Sequence, residues 1–166
     1  MSAIISSINY CPVKSVSFQS IDTCEIKKNI GIVGDRVFAF AKGLDLDKSQ
    51  LFEKSPYERK GKWNKILTLK NSPVLNKYNF LLMENKLTLI FKDKEILMID
   101  VNELGERQIL SNKIIELENS LKKPIVLMKN EEFPFFDTTI SNKVDFINSV
   151  SLLNVQSIND FQKKNR

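Results

Sequence analysis

The chain has 166 residues, 42% hydrophobic and 27% charged, with 25 Lys and Arg against 20 Asp and Glu, a net charge of +5, two cysteines and no histidine. A chain of this size buries roughly 70% of the surface its unfolded form exposes, so its core needs neither metal nor disulfide. Without histidine, Ser-His-Asp and Cys-His catalysis, histidine-ligated haem and imidazole zinc sites are excluded, and two cysteines cannot build a four-cysteine cluster.

Ile4, Ile5 and Ile8 lead into Tyr10-Cys11-Pro12-Val13-Lys14-Ser15, where Pro12 ends a strand in an exposed turn. Val16 to Ile26 alternates imperfectly, as a strand with a bulge would. Gly31 and Gly34 predict a turn, and Arg36 to Ala41 a buried strand closed by Lys42-Gly43. Residues 44–63 are charged, with few apolar positions, and read as a long excursion, mobile or partly helical and the first target for limited proteolysis. Order returns at Trp63 to Leu69, ended by Asn71-Ser72-Pro73. The runs Tyr78–Met83, Leu87–Phe91 and Ile96–Asp100, separated by short polar turns, predict an antiparallel meander.

The period then changes. Leu110, Ile114, Leu117 and Leu121 recur at helical spacing ahead of Lys122-Lys123-Pro124, predicting one amphipathic helix with cations at its C-terminal end. Ile125–Met128 is a strand, Glu131–Ile140 an irregular aromatic loop, Ser149–Val155 a further strand, and Ser157 caps a short helix over Ile158–Lys164 with Phe161 as its late anchor. A helix of about two turns has little stability of its own, so it is expected to dock on something beyond this chain. The expected architecture is mainly β with α: an antiparallel β-barrel with one packed amphipathic helix over residues 1–128, then an incomplete second domain over 129–166.

The basicity comes mostly from 21 Lys in a chain that also has 16 Asn. These lysines are scattered among acids, and no block reaches the five or six like charges of a nucleic-acid arm, so no nucleic-acid partner is expected. No apolar run approaches the roughly 18 residues of a membrane span. Met1 to Tyr10 lacks a cationic start followed by an apolar run, so Cys11 and Cys24 are read as reduced thiols in a cytoplasm.

The informative feature is a pair of turns. Pro12-Val13-Lys14-Ser15 offers an ammonium, a hydroxyl and turn amides, and Asp35-Arg36 offers a guanidinium at the start of the strand expected beside it. Lys14, Ser15 and Arg36 together match what a phosphate monoester needs: a point charge, a short hydroxyl donor and a fork of donors. Asp35 could instead pair with Lys14 or Arg36 and simply close the barrel. Both readings stand on the residues alone. Residues 31–36 lack the third glycine of a Rossmann turn and the Gly-Lys-Ser/Thr of a phosphate loop.

Residues 10–15 followed by Gly31-Ile32-Val33-Gly34-Asp35-Arg36 resemble the "YPVKS…GLxGDR" signature of the N-terminal β-barrel of MOSC proteins, named for the molybdenum cofactor sulfurase C-terminal domain and including the amidoxime-reducing component. The resemblance continues through Trp63–Thr68 to Pro73 (the "FLTxR…P" strand), Leu110–Met128 ("WLSxxLGRPVRLV") and Phe136-Asp137 with Ser149–Phe161 ("F.D…LLxxASLxxLN"). Three departures accompany it: Cys11 beside the tyrosine-proline step, an insertion at 44–63, and an end at Arg166.

The resemblance implies a molybdenum-dependent reductase or sulfur-carrier protein, oxidoreductase-like, binding the molybdenum cofactor (molybdopterin). Pyridoxal phosphate binding also goes with the family. Lys14, Ser15 and Arg36 match positions that contact the cofactor phosphate, with Asp35 orienting Arg36. The family's molybdenum-ligating cysteine lies further along than these residues, and neither Cys11 nor Cys24 matches it. This chain alone is therefore expected to be inactive, with the remainder of the MOSC domain and an electron-transfer protein as partners. The other reading is a non-catalytic β-barrel module that binds an anionic ligand or a protein.

Overall fold

The computed structural model describes residues 4–16, 18–28, 30–121, 124–136 and 163. Among the described residues there are nine strands and two α-helices: β1 (Ile8–Tyr10), β2 (Gln19–Ile21), β3 (Ile26–Lys27), β4 (Gly31–Ile32), β5 (Phe38–Lys42), α1 (Leu46–Lys54), β6 (Tyr78–Met83), β7 (Lys86–Phe91), β8 (Lys94–Asp100), α2 (Leu104–Leu117) and β9 (Ile125–Lys129). Short 3₁₀ turns occupy Pro56–Arg59, Trp63–Lys65 and Pro73–Lys77.

The centre is the ribbon of β5 and β9, antiparallel with Phe38 opposite Lys129 and Lys42 opposite Ile125. Phe38 to Ala41 are all buried, because the ribbon is covered on both faces. Phe38 and Phe40 point with Ile125 and Leu127 into the main core, where they meet Tyr78, Phe80, Leu87, Leu89 and Ile99 of the meander and Leu110 and Ile114 of α2. The alternate residues Ala39, Ala41 and Met128 face a second cluster containing Phe52 of α1, Ile66 and Phe135. Alternation of large and small residues along β5 thus lets α1 approach one face closely while aromatic rings fill the other.

The expected closed barrel is not formed. Among the described residues the strands fall into four small antiparallel sheets, β1-β2, β3-β4, β5-β9 and β6-β7-β8, so the fold is mixed α and β with two helices. The physical reason lies in residues 16–26, read as one bulged strand. They yield only the short pieces β2 and the start of β3, and where β2 approaches β6 a side chain replaces the ladder. Gln19 donates from Nε2 to the Leu82 carbonyl (3.0 Å) and accepts from the Leu82 N–H at Oε1 (3.0 Å).

The meander matches the sequence reading, joined by two-residue turns at Glu84-Asn85 and Lys92-Asp93. The excursion is partly helical, containing α1, capped where Asp45 accepts the Lys48 N–H. The expectation for the later helix needs correction: it starts at Leu104 and ends at Leu117, before the lysines, with no cation in its last turn. Its buried face is partly polar: Ser111 donates to the Arg107 carbonyl (2.8 Å) and accepts the Leu127 N–H (2.9 Å), tying α2 to β9. Trp63–Lys65 is a 3₁₀ turn rather than a strand, with Ile66 bridging Ala41. The strand at 149–155 and all of the terminal helix but Lys163 lie outside the described residues. Among the described residues no helix is long and apolar enough to cross a membrane.

Candidate functional site

The two signature turns lie side by side. Val13 and Phe38 form a parallel bridge, the Lys14 N–H donates to the Phe38 carbonyl (2.8 Å), the Phe38 N–H to the Pro12 carbonyl (3.0 Å), and the Arg36 N–H to the Cys11 carbonyl (2.6 Å). Four turn residues, 33–36, between β4 and β5 make the sharp reversal that permits this. Gly34 has φ +89°, and a Cβ there would sit 3.2 Å from Cε2 of Tyr10. Ser15 (φ 59°) and Arg36 (φ 52°) are in the left-handed region without being glycine. Such conformations persist only where surrounding contacts over-determine them, and they concentrate at ligand sites.

Asp35 is the hinge pin. Its Oδ1 accepts the Cys11 N–H (2.8 Å) and its Oδ2 accepts Nη1 of Arg36 (2.6 Å). Burial pushes its carboxyl above the ordinary range, against the opposing pull of the Cys11 N–H, Arg36 and Lys14. The Cys11 thiol is likewise pushed up, first by burial, while Arg36 and Lys14 draw it down. Its Sγ lies 2.9 Å from the Val13 carbonyl and 2.7 Å from that of Val16, as a small turn-closing thiol would. Lys14, Asp35, Arg36 and Cys11 therefore feel one another as a single charged cluster.

Of the three expected phosphate contacts, the structure brings Lys14 and Arg36 into this cluster and sets Ser15 on the same turn. The turn is not exposed, however. Pro12, Val13 and Lys14 are all buried, with Lys14 at 2% exposure. Arg36 is the accessible member, its side chain 32% exposed. Asp35 occupies Nη1 only, so the parallel N–H groups of Nε and Nη2 have no protein partner among the described residues. That edge is the one that grips a planar or tetrahedral oxyanion in two places. The site is a shelf and not a cleft. The cleft of about 330 Å³ nearby is lined by Gly34, Val37, Lys27, Leu82, Asn102 and Glu131 among others, and not by Lys14, Ser15 or Arg36.

Two contacts at the site were not read from the sequence. The ring of Phe136 lies against the Arg36 guanidinium (5.1 Å to the centroid), and the Phe135 N–H donates to the Arg36 carbonyl (2.8 Å). The aromatic spacing was visible, but its target was not, because a hundred residues separate the partners. Among the described residues no group of three or more Cys, Asp or Glu converges to hold a metal ion. No family model, curated protein or solved structure matches the chain.

Proposed function

We propose that this chain is part of a molybdenum-cofactor-binding protein of the MOSC type, in which the paired turns at 12–15 and 34–36 contact the cofactor's phosphate. The carrying observation is the Nε/Nη2 edge of Arg36, unpartnered among the described residues and held beside the Lys14 turn by hydrogen bonds between turns about twenty residues apart. The donor set fits a phosphate monoester: a guanidinium fork with one nitrogen already braced, an ammonium within electrostatic range, and a hydroxyl on the same turn. Arg36 would grip two oxygens, Lys14 would raise the local positive potential, and Ser15 would add a neutral donor. When bound, the cofactor would supply molybdenum-centred redox or sulfur-transfer chemistry. These residues bind and orient. The reading takes a reducing cytoplasm, with both cysteines as free thiols, and the rest of the domain and an electron-transfer protein as partners.

The Asp35–Arg36 pair favours a second reading, a non-catalytic module in which the pair only locks the turns together. Titration with inorganic phosphate beside thermal unfolding separates the two. The wild type should bind weakly and salt-sensitively. Arg36→Lys keeps the charge but loses the fork, so affinity should fall about tenfold or more with little change in stability. Lys14→Ala should weaken binding and also lower stability, since its side chain is buried. If Arg36→Lys loses stability yet keeps the wild-type phosphate response, the cofactor-phosphate reading fails.

A further inference from the structure

Arg36 is restrained on three sides. Asp35 holds Nη1, the Phe136 ring covers a face of the guanidinium, and the Phe135 N–H grips the backbone carbonyl. Phe135 and Phe136 are both buried, and the loop that carries them is fixed in turn by a second arginine. Arg59, 2% exposed, donates from Nε to the Phe52 carbonyl (2.7 Å), from Nη1 to that of Phe133 (2.7 Å) and from Nη2 to that of Glu53 (3.2 Å). Its guanidinium lies 4.0 Å from the Phe135 ring centroid. Adjacent rings therefore each meet one arginine: Phe135 meets Arg59 from the 44–63 segment, and Phe136 meets Arg36 at the anion shelf. The Asn130 N–H completes the attachment, donating to the Val37 carbonyl (2.8 Å).

We propose that Phe136, seated by Arg59, is a positioning residue that holds the Arg36 guanidinium ready for an oxyanion. The inference rests on reading Arg36 as an anion-binding group. An arginine fixed before its ligand arrives loses less freedom on binding, so affinity rises without any new contact to the ligand. It also gives the 44–63 segment a role: its Arg59 seats the loop that shapes the shelf.

The test uses the full chain and inorganic phosphate, with calorimetric affinity measured well below each variant's unfolding temperature. Phe136→Leu should weaken phosphate binding about threefold to fivefold, the worth of one cation–ring contact, and Phe136→Tyr should restore it to within about twofold. Arg59→Lys keeps the charge but drops the fork to three carbonyls, and should lower affinity in the same direction; it decides the matter should the leucine variant not fold. Wild-type affinity in Phe136→Leu, or equal loss in the leucine and tyrosine variants, overturns the positioning role while leaving the anion site standing. A wild type without any phosphate response overturns the anion reading itself, and this inference with it.

Discussion

Asp35 joins backbone to charge: one oxygen holds the Cys11 amide and the other the Arg36 guanidinium. Its pKa is raised, with burial the largest cause, so the folded state binds the proton more readily than the unfolded one. Between the ordinary carboxylate value near 4 and the higher folded value, folding takes up protons, and stability falls as pH rises. The contribution is fully present below the ordinary value and lost as pH climbs through the folded one. Urea unfolding of wild type and Asp35→Asn from about pH 3 to about pH 7 should show wild-type stability declining relative to the variant across that window. A relative rise would mean that the pairing with Arg36 outweighs burial. At this scale the sequence pointed to two turns that the structure sets side by side, those of Lys14-Ser15 and Asp35-Arg36, because turn chemistry is local. The depth of Lys14 was not legible, because what covers a turn is decided by strands further along the chain.

Among the elements, α1 with the turn after it resolves the two readings of residues 44–63, mobile or partly helical, in favour of a helix. A polar stretch with few apolar residues reads as an excursion, yet Phe52 packs it against Ala39 and Ala41, Arg107 pairs with Glu53, and Arg59 fixes its end. Desolvation draws the Arg59 guanidinium down to about 10 with Glu53 opposing, so it remains a cation served by carbonyls. Arg59→Met should cost about 2–4 kcal/mol in urea unfolding, since several carbonyls lose a charged donor. Tryptic cleavage at the exposed Lys60 and Lys62 should become faster in that variant than in wild type; unchanged cleavage would show that the fork does not hold the segment. The meander was legible because short apolar runs separated by short polar turns encode it locally. The N-terminal boundary of α2 was not: the helix begins at Leu104, where the Glu106 carboxylate accepts the Asp100 N–H, ahead of the apolar period that announced it.

For the whole molecule, barrel closure was the expectation that failed, and Gln19 shows why it could not be read. Alternation predicts strands but not which edges meet, and here one amide side chain takes the place of a ladder between β2 and β6. Gln19→Leu should cost about 1–2 kcal/mol and speed hydrogen exchange at the Leu82 amide, leaving a neighbouring β7 amide such as Leu89 unaffected. Equal protection at Leu82 in both proteins would remove Gln19 from this role. The central ribbon has a consequence for biosynthesis. β5 leaves the ribosome about ninety residues before its partner β9, so at roughly 5–20 residues per second it waits on the order of 5–20 s. Throughout that interval Phe38-Ala39-Phe40-Ala41, apolar on both faces, has an open edge in the nascent chain, a template for unwanted pairing until β9 emerges.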